Sequence, residues 1–117
     1  IRGILILRPD TGLFFANADR IMAQARLHLA AAGDDVHTVI LSLEESPDLD
    51  SSSVEAVCDF CAAVLAENRQ VLFARLKTPV LHLLSRAAIP GLADTALGDL
   101  SVDDAVGLAQ HLSVLSH

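Results

Sequence analysis

The stretch Val36 to Leu65, VHTVILSLEESPDLDSSSVEAVCDFCAAVL, decides the fold class. Its first eight residues, Val36 to Leu43, are rich in strand-forming residues and mostly apolar, the pattern of an inner strand covered on both faces. Glu44 to Asp50 then form an acidic loop around Pro47. Ser51-Ser52-Ser53 follow, and Ser52-x-x-Glu55 fits a capping box. Val54, Val57, Cys58, Cys61 and Leu65 recur at helical spacing, with Glu55, Asp59 and Glu67 on the outer face. A buried strand feeding an amphipathic helix through a short polar loop is the unit of an α/β sheet.

The same alternation extends in both directions. Gly3 to Leu7 is a short aliphatic run, halted by the turn-forming cluster Arg8-Pro9-Asp10-Thr11-Gly12. Leu13-Phe14-Phe15 reads as a second strand, giving a hairpin-like start. Asn17 is placed to cap a helix with Asp19 in its first turn, and Ile21, Met22, Ala25, Leu29 and Ala32 form its apolar stripe up to Gly33. Downstream, Val71 to Ala74 is another inner strand. Thr78-Pro79 opens a third helix carrying Val80, Leu83, Leu84 and Ala87, and Pro90-Gly91 ends it. A weak strand is expected near Thr95 to Leu97, and Ser101 caps a last helix. The expected order is β-β-α-β-α-β-α-(β)-α.

Length and charge narrow the function classes. The 117 residues suit one domain with a real core. Ala and Leu occupy 38 positions and aromatic residues only four, so the core is expected to be aliphatic, with close helix packing. Mean hydropathy is +0.47, yet no run reaches the roughly 18 uninterrupted apolar residues of a spanning helix, and the chain reads as soluble. The formal charge is −7. No Lys or Arg lies between Leu27 and Asn68, where there are nine acids, and the eight cations are scattered. Nucleic acid and anionic membrane surfaces are therefore poor partners, and direct membrane insertion is not expected. Two cysteines do not make a disulfide framework, and no signal peptide opens the chain, so a reducing compartment is expected. The absence of an initiator Met before Ile1-Arg2-Gly3 reads as a domain excised from a longer protein.

Catalytic motifs are missing. Cys58-Asp-Phe-Cys61 falls inside a helix and on its apolar stripe, where a redox C-x-x-C would sit at the helix start. The five histidines show no ligand-like pairing, and the glycines form no phosphate-binding loop. No metal or other cofactor is expected. What remains is Asp48-Leu-Asp50-Ser51-Ser52-Ser53. One reading is helix capping by Ser52. The other is a contact site, since a helix N-terminus accepts a phosphoryl group or docked anion. The neighbouring Glu44, Glu45, Asp48 and Asp50 oppose a free anion and favour a protein contact or a covalent phosphate.

At this loop the sequence resembles a STAS domain, the module shared by bacterial anti-sigma-factor antagonists and the cytoplasmic C-termini of SulP-type anion transporters. Val39-Ile-Leu41-Ser-Leu43 followed by Pro47-Asp-Leu-Asp50-Ser-Ser-Ser-Val54 is similar to the family's strand, loop and helix start. Ile4-Leu-Ile-Leu-Arg8-Pro9 with Leu13-Phe-Phe-Ala-Asn-Ala18, and Val71-Leu-Phe-Ala74 with Lys77-Thr-Pro79-Val80, resemble the SulP branch. Three positions depart from the pattern: Ser42 stands where Asp is usual, and Ser53 and Ala88 where Gly is usual.

The resemblance implies a mixed sheet of about four to five strands flanked by about four helices, without enzyme activity. It further implies that residues 1–117 form one regulatory and interaction domain at the cytoplasmic C-terminus of a sulfate or related anion transporter, on the inner face of a bacterial membrane. The implied partners are the transporter's own membrane domain, a second protomer or a cytosolic regulator. The implied contact residues are Asp50, Ser51, Ser52 and Ser53, with Glu44, Glu45 and Asp48 in the adjoining loop. The alternative is a stand-alone anti-sigma-factor antagonist, in which Ser52 resembles the serine phosphorylated by a partner kinase.

Overall fold

A computed structural model describes residues 3–92, 94–97 and 102–115. The elements run β1 (Ile4–Leu7), α1 (Ala18–Ala32), β2 (Thr38–Ser42), α2 (Ser51–Ala66), β3 (Gln70–Ala74), α3 (Thr78–Ala87), a 3₁₀ turn (Asp94–Leu97) and α4 (Val102–Leu115). The described strands form one parallel sheet in the order β1-β2-β3. Ile40 of β2 sits opposite Ile6 of β1 and Leu72 of β3.

This order places the helices. Both crossovers, β1-α1-β2 and β2-α2-β3, step in the same direction across the sheet, and right-handed crossovers then put α1 and α2 on one face. Side chains alternate accordingly. Val39, Leu41, Val71 and Phe73 point into a core shared with Ile21, Met22, Leu29, Val57, Phe60 and Val64 of the two helices. Ile4, Ile40, Leu72 and Ala74 face the opposite way, against Ala96, Ala105 and Ala109. Those three alanines are fully buried, so α4 and the 3₁₀ turn approach the sheet closely, as expected from an Ala-rich chain. Val80 and Leu84 seat α3 beside α2 in the larger core.

Three expectations from the sequence differ from the structure. Leu13-Phe14-Phe15 is not a strand but loop and turn leading into α1. Asn17 explains why: its Oδ1 accepts from the Phe14 N–H at 2.8 Å and its Nδ2 donates to the Gly12 carbonyl at 3.0 Å. These local bonds bend the backbone that a strand would keep extended. The segment near Thr95 to Leu97 is a 3₁₀ turn, again not a strand. The described sheet thus has three strands, all parallel, where four to five in a mixed sheet were expected. The cap assigned to Ser101 lies outside the described residues.

Helix ends account for one departure from the family pattern. Ala88, the residue after α3, has φ 50° and ψ 57°, a left-handed conformation that glycine adopts freely and alanine does not. The exposed Ala88→Gly substitution is expected to stabilise the fold by up to about 1 kcal/mol, the strain relieved exceeding the entropy that glycine adds to the unfolded chain. Urea unfolding measures it, and an unchanged or lower midpoint would contradict the assignment.

Candidate functional site

The loops that leave the C-terminal ends of β1 and β2 lie side by side and are joined by hydrogen bonds. The Leu13 N–H donates to Ser46 Oγ at 3.0 Å, inside the protein. The Phe15 N–H donates to Asp50 Oδ2 at 2.7 Å. Gly12 lies so close to the second loop that a Cβ there would come within 2.8 Å of the Glu45 carbonyl oxygen, which makes any larger residue costly at that position.

Asp50 is the joint between the loops and α2. While Oδ2 holds Phe15, Oδ1 accepts from the Ser53 N–H at 2.8 Å, so Asp50 is the N-cap of the helix. Here the sequence reading is corrected: the capping box expected from Ser52 does not form, because α2 already begins at Ser51 and the cap falls one residue before it. A carboxylate suits this position, since it accepts orphan N–H groups and meets the positive end of the helix. The Ser53 hydroxyl beside it, the Ser53 N–H and, less strongly, the Phe15 N–H hold the Asp50 carboxyl below its ordinary range, with desolvation opposing them. The Ser53 Oγ itself has no hydrogen-bond partner in the structure. Its influence is therefore that of a nearby dipole, and the two N–H bonds carry the contact.

The expected contact residues separate by exposure. Glu45, Asp48, Asp50, Ser51 and Ser52 are exposed, and Glu44 is half-buried. Asp48 is turned back on its own loop, its Oδ1 accepting from the Leu49 N–H at 2.9 Å. Ser53 is fully buried and packs beneath the surface.

Two residues that the sequence reading placed in a strand stand out in this surface. Phe14 is 47% exposed and Phe15 74%, whereas Phe60 and Phe73 are at 1% and 0%. The two exposed rings meet edge to face, with centroids 5.8 Å apart. Adjacent large apolar residues look like core from pattern alone, and only the Asn17 turn reverses that reading. The available signal was Asn17 with Gly12 five residues earlier.

Neither cysteine is set up as a nucleophile. Among the described residues no group of three or more His, Cys, Asp and Glu is placed to hold a metal ion. Burial pushes the Cys61 thiol up to about 12, with Cys58 adding to the shift. The Cys58 thiol is raised by desolvation and by Asp59 and Glu55. Both remain protonated at neutral pH, the opposite of an activated nucleophile. Among the described residues, one open groove of about 830 Å³ lies beside α1 and the edge of β1, and another of about 950 Å³ lies at the C-terminal ends of α1 and α2.

The STAS domain family model matches residues 1–105, and the chain belongs to that family. Three solved structures have the same fold. The murine Slc26a9 anion transporter in its inward-facing state matches with a TM-score of 0.82 and 21% identity over 95% of this chain, which corresponds to 18% of the transporter chain. A sulfate transporter family protein from Wolinella succinogenes matches at TM-score 0.74 and 21% identity, covering 95% of this chain and 88% of that one. The SulP transporter STAS domain from Vibrio cholerae matches at 0.73 and 15% identity, covering 100% and 88%. No curated protein matches the sequence.

Two outcomes test the geometry. Asp50→Ala is expected to lower the thermal unfolding midpoint at neutral pH, because the Ser53 and Phe15 N–H groups lose their acceptor. A lowered carboxyl stabilises the fold above the unfolded value, about 4, and that contribution is lost as pH falls through the folded value. The gap between wild type and variant therefore closes below about pH 4; a pH-independent gap would contradict the assigned role. Second, an aromatic disulfide reagent is expected to label Cys61 slowly in the native protein and rapidly in urea. Fast native labelling of both thiols would overturn their burial.

Proposed function

We propose that this chain is a non-catalytic regulatory and interaction domain of a SulP-family anion transporter, lying on the cytoplasmic side of the membrane. The observation that carries the reading is the structural likeness to Slc26a9 over 95% of the chain at TM-score 0.82, joined to the Leu13-Phe-Phe-Ala-Asn-Ala18 segment that resembles the SulP branch. The match to a SulP transporter STAS domain supports it further. The chain corresponds to less than a fifth of the Slc26a9 sequence, so anion movement belongs to other parts of such a protein. Among the described residues no helix is long and apolar enough to cross a membrane.

In this reading the domain works by contact. The surface formed by Glu45, Asp48, Asp50, Ser51 and Ser52 at the start of α2 touches the transporter's own membrane domain, a second protomer or a cytosolic regulator. Its backbone is held by the Ser46 and Asp50 bonds, so little ordering entropy opposes docking. Ser52 serves as a contact residue with an exposed hydroxyl.

The decisive measurement is the reading frame that encodes the chain. A SulP transporter requires a series of apolar segments of about 20 residues upstream of Ile1. A frame without them would end the transporter assignment.

A further inference from the structure

Phe14 and Phe15 are the most exposed aromatic side chains of a protein that buries its other two completely. Aromatic residues are enriched at protein interfaces, and exposed contiguous apolar surface marks interaction sites. Their setting is rigid. Three side chains hold the backbone under them: Ser46 takes the Leu13 N–H, Asn17 the Phe14 N–H and Asp50 the Phe15 N–H. Every backbone donor from 13 to 15 is thus used, and the rings are presented from a fixed loop. Aromatic side chains on a preorganised loop anchor an interface at low entropic cost.

The charge around the rings selects the partner. Asp50 lies directly against the Phe15 backbone, and the Glu45 carbonyl abuts Gly12. Glu45, Asp48 and Asp50 are exposed, and the chain has no Lys or Arg from Leu27 to Asn68. Arg8 and Arg20 line the separate groove beside β1. A second copy of the chain would bring the same acids against one another, and an anionic lipid surface would meet them with like charge. A basic apolar surface would meet neither obstacle.

We infer that the Phe14–Phe15 pair is the hydrophobic anchor of a docking site for a basic amphipathic protein segment, its apolar side covering the rings and its Lys or Arg residues facing Glu45, Asp48 and Asp50. The inference deepens the proposed function by naming the partner's chemistry at the same surface. It does not depend on the reading frame, so a transporter frame with no such binding would leave the family role intact and remove this site alone.

The test uses the 117-residue chain and a synthetic helical peptide of alternating Leu and Lys faces, with a Leu/Glu peptide and vesicles of zwitterionic and anionic lipid as parallel arms. Calorimetry and amide chemical-shift mapping are read together. Supporting results are binding of the Leu/Lys peptide with shifts confined to residues 12–17 and 44–53, weakening as salt rises. Affinity is then expected to fall about tenfold or more in Phe14→Ala/Phe15→Ala, and to fall also in Glu45→Lys/Asp48→Lys. The bonds under the rings are made by backbone N–H groups, so the alanine variant retains them, and Phe15→Ala alone serves as a milder second probe. Shifts mapping elsewhere, affinity indifferent to the phenylalanines, equal binding of the Leu/Glu peptide, preferential binding to anionic vesicles, or a dimer broken by Phe15→Ala would each overturn the inference.

Discussion

Every layer of this domain is set by the burial of β2. All five of its residues are buried, and both of its edges are paired. A strand in that position needs apolar cover on both faces. One cover comes from α1 and α2, which the two parallel crossovers bring to the same side. The other comes from α4 and the 3₁₀ turn, whose alanines let the backbone come near enough to exclude water from Ile40 and Leu72. The polar ends of the strand are the complementary constraint: what leaves the core at Ser42 must turn at once into a loop whose backbone groups find partners.

That loop is where structure becomes surface. Leu43 and Leu49 remain buried while Glu45, Pro47 and Asp48 project, so the acidic segment is anchored at both ends. Ser46 and Asp50 then use side-chain oxygens to take N–H groups from the neighbouring loop. A single carboxylate, Asp50, caps a helix and ties down a second loop. Asp50, one of the acids that oppose a free anion, is therefore also the group that holds the Phe15 backbone.

The strands β1, β2 and β3 were legible as apolar runs of four or more residues, the four helices from their sustained helical spacing, and the acidic loop from its composition around Pro47. The wrong assignments fall on segments of three residues. Leu13-Phe14-Phe15 has the composition of a strand, but its fate is decided by Asn17, a residue also suited to capping, and by Ser46 and Asp50 more than thirty positions away. The cap itself was misplaced by a similar competition. Ser51-Ser52-Ser53 and Asp50 are all good capping residues, and the choice among them rests on a tertiary bond: only Asp50 has a second oxygen free for Phe15. Long-range partners of this kind leave no trace in local spacing.

The three departures from the family pattern have separate physical consequences. Ala88 accepts a left-handed backbone at a cost that glycine would not incur. Ser42 and Ser53 are both fully buried with hydroxyls that find no partner. A buried hydroxyl without a hydrogen bond is unfavourable, but far less so than a carboxylate left at the closed end of β2 without a compensating donor. Ser42 thus removes a charge from the interior, while the acids that remain at this end of the sheet, Glu45, Asp48 and Asp50, are exposed. Ser42 leaves no ionisable side chain at the buried end of β2, and the charged and aromatic groups described at this end of the domain are on its surface.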